Sequence, residues 1–474
     1  VGNAVEPAAR ATSAWRTGPV PLRGVPGFPG CGWLTDACRA ARAAGVPVPS
    51  RRTGTTRRPP IPADQILDAA TRVADLLLDV QTRVNGQIDA ALTDLLPRVQ
   101  QRLGVSSADA ADPSGLVNTR ITGLSVVVTP AAVATVVPLS AESAATTRAG
   151  RRAVTDIVTG ADDRLAVIAG PCSIHDPEAA LEYAAFLARM RERHGDDLEI
   201  LMRTYTEKPR TEVDWKGFAY DPFLDGSSRI SVGLVATRML MCRITALGVP
   251  VAAEPLNALT PQYVNGLVTY NGVGARNVTD QTARERVSGF SSVVGFKNSP
   301  EGSIDAAVSA VLTARAPHEF LGVDHHGVSA QLSTTGNDTA HVILRGDKDG
   351  PNYSAAHVAE TKRKLAQRGL PEVVVVDASH GNSQKDHRRQ VVVVRDLAGQ
   401  VATGERAIRG VMVESNLVAG RQDLDREHPE RLAYGVSVTD ACVDPDTTEV
   451  VLAELVEAVR SRRGAGSRTA PAAR

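Results

Sequence analysis

The chain has 474 residues, 43% hydrophobic and 22% charged, enough to bury the core of one large domain with appendages or of two domains. Lys and Arg number 53 and so do Asp and Glu, so the global balance argues against a nucleic-acid or anionic-membrane partner and makes any basic site local. The longest apolar stretch, residues 126–139, is broken by Pro130 and Pro138 and is too short to cross a membrane.

At the start, Glu6, Arg10 and Arg16 are followed by no apolar core, so the segment does not read as a secretory signal. Five cysteines at irregular spacing argue against a disulfide framework and for a reducing cytoplasm. Residues 1–61 are rich in Pro, Gly, Arg, Thr and Ala without helix or strand period, and a disordered extension is expected. From 64 to 103 the pattern changes. Ile66, Val73, Leu77, Val80, Val84, Ile88, Leu92 and Leu95 recur at three- and four-residue steps, with Asp64 as a cap and Pro97 as a break. Residues 62–125 are therefore expected to be a helical extension and linker that packs on the main domain or on a partner subunit.

Beyond 126 the chain alternates short apolar runs with helical segments. Strands are expected at 165–169, 198–203, 249–254, 272–276, 293–297, 341–345, 373–377 and 408–414. Helices are expected at 178–194, 233–247, 261–270, 303–314 and 355–368. Apolar strands alternating with helices make a parallel sheet covered on both faces. Eight such units fit an α/β fold closed as a (β/α)8 TIM barrel over residues 126–465, followed by a disordered tail at 466–474. The extra runs 320–323 and 330–333 are expected to form a β-hairpin inserted before the sixth strand.

In such a barrel the C-terminal strand ends line the mouth. Read in order they carry Cys172, Arg203, Glu254, Arg276, Lys297, Arg345, His380 and Glu414, with Asp440 in a later loop. Arg203, Arg276, Lys297 and Arg345, joined by Lys208 and Arg210, concentrate positive charge, and such a cluster calls for a multiply anionic ligand. Cys172, His380, Glu414 and Asp440 make a mixed thiol, imidazole and carboxylate set that suits a divalent metal. From pattern alone Cys172 reads equally as an inert buried thiol and His380 as a packed core histidine.

With these residues on the page, the chain resembles the type I 3-deoxy-D-arabino-heptulosonate 7-phosphate (DAHP) synthases over about residues 130–463. The motifs that carry the likeness are GPCSIHDP (170–177), MRTYTEKPRT (202–211), WKG (215–217), TPQY (260–263), GAR (274–276) and VGFKN (294–298). They continue with ILRG (343–346), PNYSAAHVAE (351–360), DASHGNSQK (377–385), GVMVES (410–415) and AYGVSVTDAC (433–442).

The resemblance implies a transferase at the head of the shikimate pathway of aromatic amino acid biosynthesis. Such an enzyme condenses phosphoenolpyruvate with erythrose 4-phosphate and water, and releases phosphate. It implies one divalent metal ion (Mn, Fe, Co or Zn) on Cys172, His380, Glu414 and Asp440. Phosphoenolpyruvate falls to Arg203, Ala275, Arg276, Lys297 and Arg345, and erythrose 4-phosphate to Lys208, Pro209, Arg210 and Thr211. Lys208, His380 and Glu414 are the candidates for proton transfer. Relatives are usually dimers or tetramers, so a homo-oligomer is expected, with no nucleic acid or membrane partner.

Two departures stand out. Where many relatives carry Trp-Gly-His this chain has His326-Gly327-Val328, in an Asp324-His325-His326 loop expected near the mouth and read as solvated rather than as a second metal site. Asn257 stands where feedback-regulated members commonly carry Asp, which leaves the effector unassigned. Cys442 reads as a packed thiol, with an oxidative link to Cys172 as the sharper alternative. A paralogue taking another aldose acceptor in specialised aromatic metabolism, or a non-catalytic regulatory homologue, are the rival readings; the intact KPRT and metal residues weigh against both.

Overall fold

The computed structural model describes residue 116 and residues 118–469 of the chain. The expected extension at 1–61 and helical stretch at 64–103 lie outside the described residues.

Eight parallel strands close on themselves. They are β1 (Leu165–Gly170), β2 (Leu198–Arg203), β3 (Val251–Ala253), β4 (Val268–Val273), β5 (Val293–Lys297), β8 (His341–Leu344), β9 (Val374–Asp377) and β10 (Ile408–Glu414). Their order around the barrel is β1-β10-β9-β8-β5-β4-β3-β2, so barrel strands adjacent in sequence are adjacent in space throughout. Between β5 and β8, β6 (Glu319–Val323) and β7 (Ser329–Ser333) pair antiparallel as a separate hairpin. The (β/α)8 barrel with an inserted hairpin is thus present as expected.

The helices are α1 (Pro130–Val136), α2 (Ala141–Thr159), α3 (Pro177–His194), α4 (Ile230–Ala246), α5 (Thr260–Val264), α6 (Gln281–Val287), α7 (Ile304–Ala314), α8 (Ala355–Gln367), α9 (Gln390–Ala402) and α10 (Pro445–Thr469). Several start on side-chain caps that satisfy otherwise orphaned amides. Ser140 accepts from Ser143 N–H, Asp176 from Glu178 and Ala179 N–H, and Ser303 from Ala306 N–H.

Side chains of β1 and β2 are buried along their whole length, because one face meets the helices and the other the barrel interior. The interior holds Ile168, Leu201, Tyr270, Ile343 and Met412, and Val154, Ile157 and Val158 of α2 join this cluster. Helix α2 thereby closes the end opposite the mouth.

The fourth unit differs from expectation. The helix expected over 261–270 ends at Val264, and the strand expected at 272–276 runs Val268–Val273. Asn265-Gly266 is a helix stop, with Gly266 at φ +91, and the run from Val268 to Tyr270 has β-branched and aromatic strand character. Ala275 and Arg276 accordingly sit in the loop beyond the strand. Helix α9 begins Gln-Val-Val-Val-Val, a run with strand propensity that tertiary packing makes helical. The last helix continues to Thr469, past the boundary expected at 465, and residues 470–474 lie outside the described residues.

Gly346, after β8, has φ +70, and a Cβ there would stand 2.4 Å from the carbonyl carbon of Gly381. Gly346→Ala is expected to cost about 3 kcal/mol through combined strain and overlap. Urea unfolding measures this, and a loss below about 1 kcal/mol would show that the two loops separate easily.

Candidate active site

Four chain segments meet at the β1, β9 and β10 ends. Cys172 lies just past β1, fully buried, and Glu414 ends β10 at 2% exposure. Asp440 comes from the loop before α10. The ligand atoms of Cys172, Glu414 and Asp440 all lie within 4.8 Å of one another. His380, past β9, points Nε2 at Glu414 Oε1, 3.6 Å away, while its Nδ1 lies 3.0 Å from Asp377 Oδ2 and 2.6 Å from Ser379 Oγ. A carboxylate behind a histidine fixes the tautomer and leaves the other nitrogen to bind. His380 also holds φ +55, an uncommon conformation for a side-chain-bearing residue.

A sulfur and two carboxylates fit a divalent cation, since metal–ligand bonds of about 2.0–2.3 Å span this separation; His380 stands outside that group of three and meets it through Glu414. Burial, reinforced by Glu414, pushes the Cys172 thiol up to about 12. The thiol is therefore protonated until a cation joins it. Lys208 Nζ is 2.6 Å from Cys172 Sγ and is itself held well above the usual lysine range: burial opposes its charge, but Cys172, Glu414 and Asp440 outweigh burial. Burial likewise opposes the Asp440 carboxylate, yet Lys208, His380 and Lys385 bring it down to about 2.

Above this set opens a cavity of about 380 Å³, faced by Lys208, Arg276, Lys297, Arg345, His380 and Asp440. Ala275, Pro209, Arg210 and Thr211 also face it. Arg203 does not. At 1% exposure it lies beneath, with Nη2 3.0 Å from Glu414 Oε1 and its guanidinium 3.7 Å over the Tyr205 ring. Arg203 Nη1 is buried and unpartnered. Lys297 is paired to Asp377 Oδ2 at 3.0 Å and Arg210 to Asp214. Among the described residues Arg276 and Arg345 have no acidic partner; Arg276 Nε donates to Thr211 Oγ1 at 3.0 Å. Lys385, which lines the same cavity, likewise has no ion pair among the described residues.

The KPRT residues stand on a long loop after β2, and the Trp-Lys-Gly motif explains how it is held. Gly217, φ +107, passes so close to the outgoing chain that a Cβ would stand 2.4 Å from Thr206 O. Trp215, 2% exposed, packs with Phe218, Leu224 and Val438 and donates from its indole to Asp221 O at 2.9 Å.

Several positioning residues are not anticipated by the strand-end pattern. Asn298, Asn352 and Asn382 form a buried amide chain: Asn298 Oδ1 accepts from Arg345 N–H and Asn352 Nδ2, and Asn382 Oδ1 accepts from Asn352 N–H. They tie the ends of β5, β8 and β9 and so set Lys297, Arg345 and His380. Gln390 holds Glu414 by both its backbone groups, at 2.9 and 2.8 Å. The three asparagines lie inside motifs quoted above, and their only signal was a polar residue beside a functional one; Gln390 carried none. The Asp324-His325-His326 loop, expected near the mouth, instead turns at the hairpin tip, exposed, where His325 O accepts from Ala131 N–H of α1. Cys442 is fully buried, its thiol donating to Asp440 O at 3.6 Å.

Glu207, adjacent to Lys208, is 3% exposed and accepts from Leu256 N–H, Asn257 N–H and Thr260 Oγ1. Burial prevails over these hydrogen bonds and raises it from 4.5 to about 7. The folded chain thus keeps a proton that the unfolded chain releases, so stability falls as pH rises between 4.5 and about 7. The change is of order 3 kcal/mol. Glu207→Gln is expected to flatten this slope in urea unfolding at about pH 5 and about pH 8; an unaltered slope would assign it to another group.

Residues 136–453 match the DAHP synthetase I family. The phenylalanine-sensitive phospho-2-dehydro-3-deoxyheptonate aldolase of Escherichia coli is 48% identical over 345 residues, covering 73% of this chain and 98% of that protein. This chain belongs to the DAHP synthetase I family. The tyrosine-sensitive enzyme of the same bacterium is 44% identical, over 71% of this chain and 94% of its own length. A solved phospho-2-dehydro-3-deoxyheptonate aldolase from Francisella tularensis is 45% identical, covers 73% of this chain and all of its own, and superposes with a TM-score of 0.71. The family match takes in all eight barrel strands and every mouth residue named above.

Proposed function

We propose that the chain condenses phosphoenolpyruvate with erythrose 4-phosphate and water to give DAHP and phosphate, using one divalent metal. The observation that carries this reading is the set of buried Cys172 and Glu414 with the more open Asp440, beside Arg276 and Arg345, two guanidiniums without acidic partners among the described residues.

Arg276, Arg345 and Lys297 hold the carboxylate and phosphate of phosphoenolpyruvate, backed by the Ala275 segment; Arg203 supports the floor through Glu414. Arg210 and Thr211 take the phosphate of the aldose. Two mutually repelling substrates are thereby oriented for C3 of phosphoenolpyruvate to meet the aldehyde carbon, and orientation alone supplies several kcal/mol. Cys172, His380, Glu414 and Asp440 would hold the metal, which supplies Lewis-acid polarisation of the aldehyde oxygen. Lys208, kept cationic by its acidic neighbours, holds a proton at Nζ and acts as an acid toward that oxygen. Water adds at C2, and phosphate leaves with cleavage of its C–O bond.

Among the described residues no helix is long and apolar enough to cross a membrane. A cytoplasmic homo-oligomer, dimer or tetramer, accords with the same reading, and gel filtration of the full chain checks the oligomeric state.

The test incubates metal-free protein with phosphoenolpyruvate and a panel of aldose phosphates, with and without Mn²⁺, and follows loss of the enol absorbance. Metal-dependent loss with erythrose 4-phosphate, and weak loss with arabinose 5-phosphate, is expected. No loss with erythrose 4-phosphate under Mn, Fe, Co or Zn would overturn the assignment.

A further inference from the structure

At the end of the barrel opposite the mouth, β10 begins with an irregularity. Ile408 pairs with Val374 and Gly410 with Val375, so Arg409 is an extra residue in the ladder. Such a bulge re-aims the inserted side chain. The Arg409 guanidinium lies over Gly160, the left-handed C-cap of α2, where a Cβ would stand 2.9 Å from Nη2. Glycine there leaves the guanidinium its room.

Three arginines gather in this place, and two of them have buried donors without a partner. Arg409 Nε is buried and unpartnered. Arg406, just before the strand, is exposed, and among the described residues no carboxylate pairs with it or with Arg409. Arg462 of α10 is 4% exposed; Nη2 donates to Asp163 O, while Nη1 has no partner. These arginines feel one another: burial and then Arg406 depress Arg409 against the pull of Glu405, and burial, with Arg409 and Arg406, depresses Arg462 against the pull of Asp163.

The neighbouring acids are already engaged. Glu405 is 3.1 Å from Lys362 and accepts from Ala407 N–H at 2.7 Å, and Asp163 is held by Arg463 at 2.6 Å. Glu372 leans on Lys362 at 3.8 Å. The carbonyl end of α2 offers Arg409 about half an elementary charge, which leaves Arg406 and Arg462 without compensation from that source. Arg406, Arg409 and Lys362 face an open cavity of about 560 Å³; Glu372 and Glu405 line it too, both turned to Lys362, and Arg406 and Arg409 are left without an ion pair among the described residues.

We propose that this cavity at the closed end of the barrel binds a phosphate group through Arg406 and Arg409. Two guanidinium forks lining one cavity match the several oxygens and double charge of phosphate better than a single carboxylate. The volume admits either inorganic phosphate or the phosphate of a small ester. Catalytic sites of such barrels open at the other end, so this site is separate from the mouth.

Phenylglyoxal labelling of the full-length protein, read by peptide mass spectrometry, tests the proposal without a variant. Inorganic phosphate and glucose 6-phosphate serve as separate probes. Either one is expected to slow labelling of Arg406 and Arg409 roughly tenfold at about ten times its dissociation constant. Protection by the ester at lower concentration than by inorganic phosphate makes the ester the ligand class; the reverse order makes it free phosphate. In an Arg276→Gln background, which weakens the mouth, phosphate is still expected to raise the melting temperature, and adding Arg406→Gln and Arg409→Gln is expected to remove that rise. Labelling unaffected by both probes would overturn the proposal and leave Arg409 as a helix-end contact only.

Discussion

Cys172→Ala is expected to lower turnover by roughly 10³-fold and to abolish tight binding of a divalent metal while the barrel stays folded. The sulfur is fully buried, and it is the one soft donor in the set with Glu414 and Asp440. Its thiol sits at about 12 without a cation, so a metal gains a thiolate only by displacing that proton, and metal affinity should rise with pH. The alanine removes both the ligand and this proton linkage, leaving an oxygen- and nitrogen-rich remnant that favours harder ions. Metal content after dialysis and steady-state turnover are the two readouts. Wild-type metal retention by the variant would remove Cys172 from the ligand set and return it to the role of an inert thiol.

The second large effect is expected at a residue that touches no proposed substrate. Asp377 is fully buried and faces Lys297 Nζ and His380 Nδ1, each at 3.0 Å. Burial opposes its charge, but Lys297 and His380 hold it well below the usual carboxylate range. Asp377→Asn leaves Lys297, itself 3% exposed, as an uncompensated cation and loosens the hold that keeps His380 turned toward Glu414. A loss of about 3–5 kcal/mol is expected, because breaking one side of a buried pair strands the other charge. Urea unfolding measures the loss. The double variant Asp377→Asn with Lys297→Met should recover much of the stability but none of the turnover. Equal losses in the single and double variants would mean that the pair carries little coupling and that the cost lies elsewhere.

Much of the site is legible in the amino-acid sequence. Strand ends pointing to a mouth, and ordered motifs from GPCSIHDP to TDAC, single out Cys172, His380, Glu414 and Asp440 together with Arg276, Lys297 and Arg345. What is not legible there is depth. Arg203 sits a layer below the cavity against Glu414, whereas Arg276 and Arg345 face it without acidic partners among the described residues. Nothing in residue identity distinguishes an arginine buried against a carboxylate from one that faces the cavity unpaired; the folded arrangement does. The same holds for the Asn298, Asn352 and Asn382 chain, whose amides find one another only once β5, β8 and β9 are side by side.

The alternation of strands and helices, the count of eight such units with an inserted hairpin, and the chemical types at the mouth all follow from the order of amino acids. Those features are carried by local period and by motifs a few residues long. The three-dimensional packing settled the end of α5 and the start of β4, the helical state of the valine-rich α9, and the bulge that re-aims Arg409. It also brought Cys172 within 3.7 Å of a carboxylate 268 residues away. Such contacts depend on how the whole sheet closes, and closure sums over every strand pairing at once, so no short window of sequence contains it.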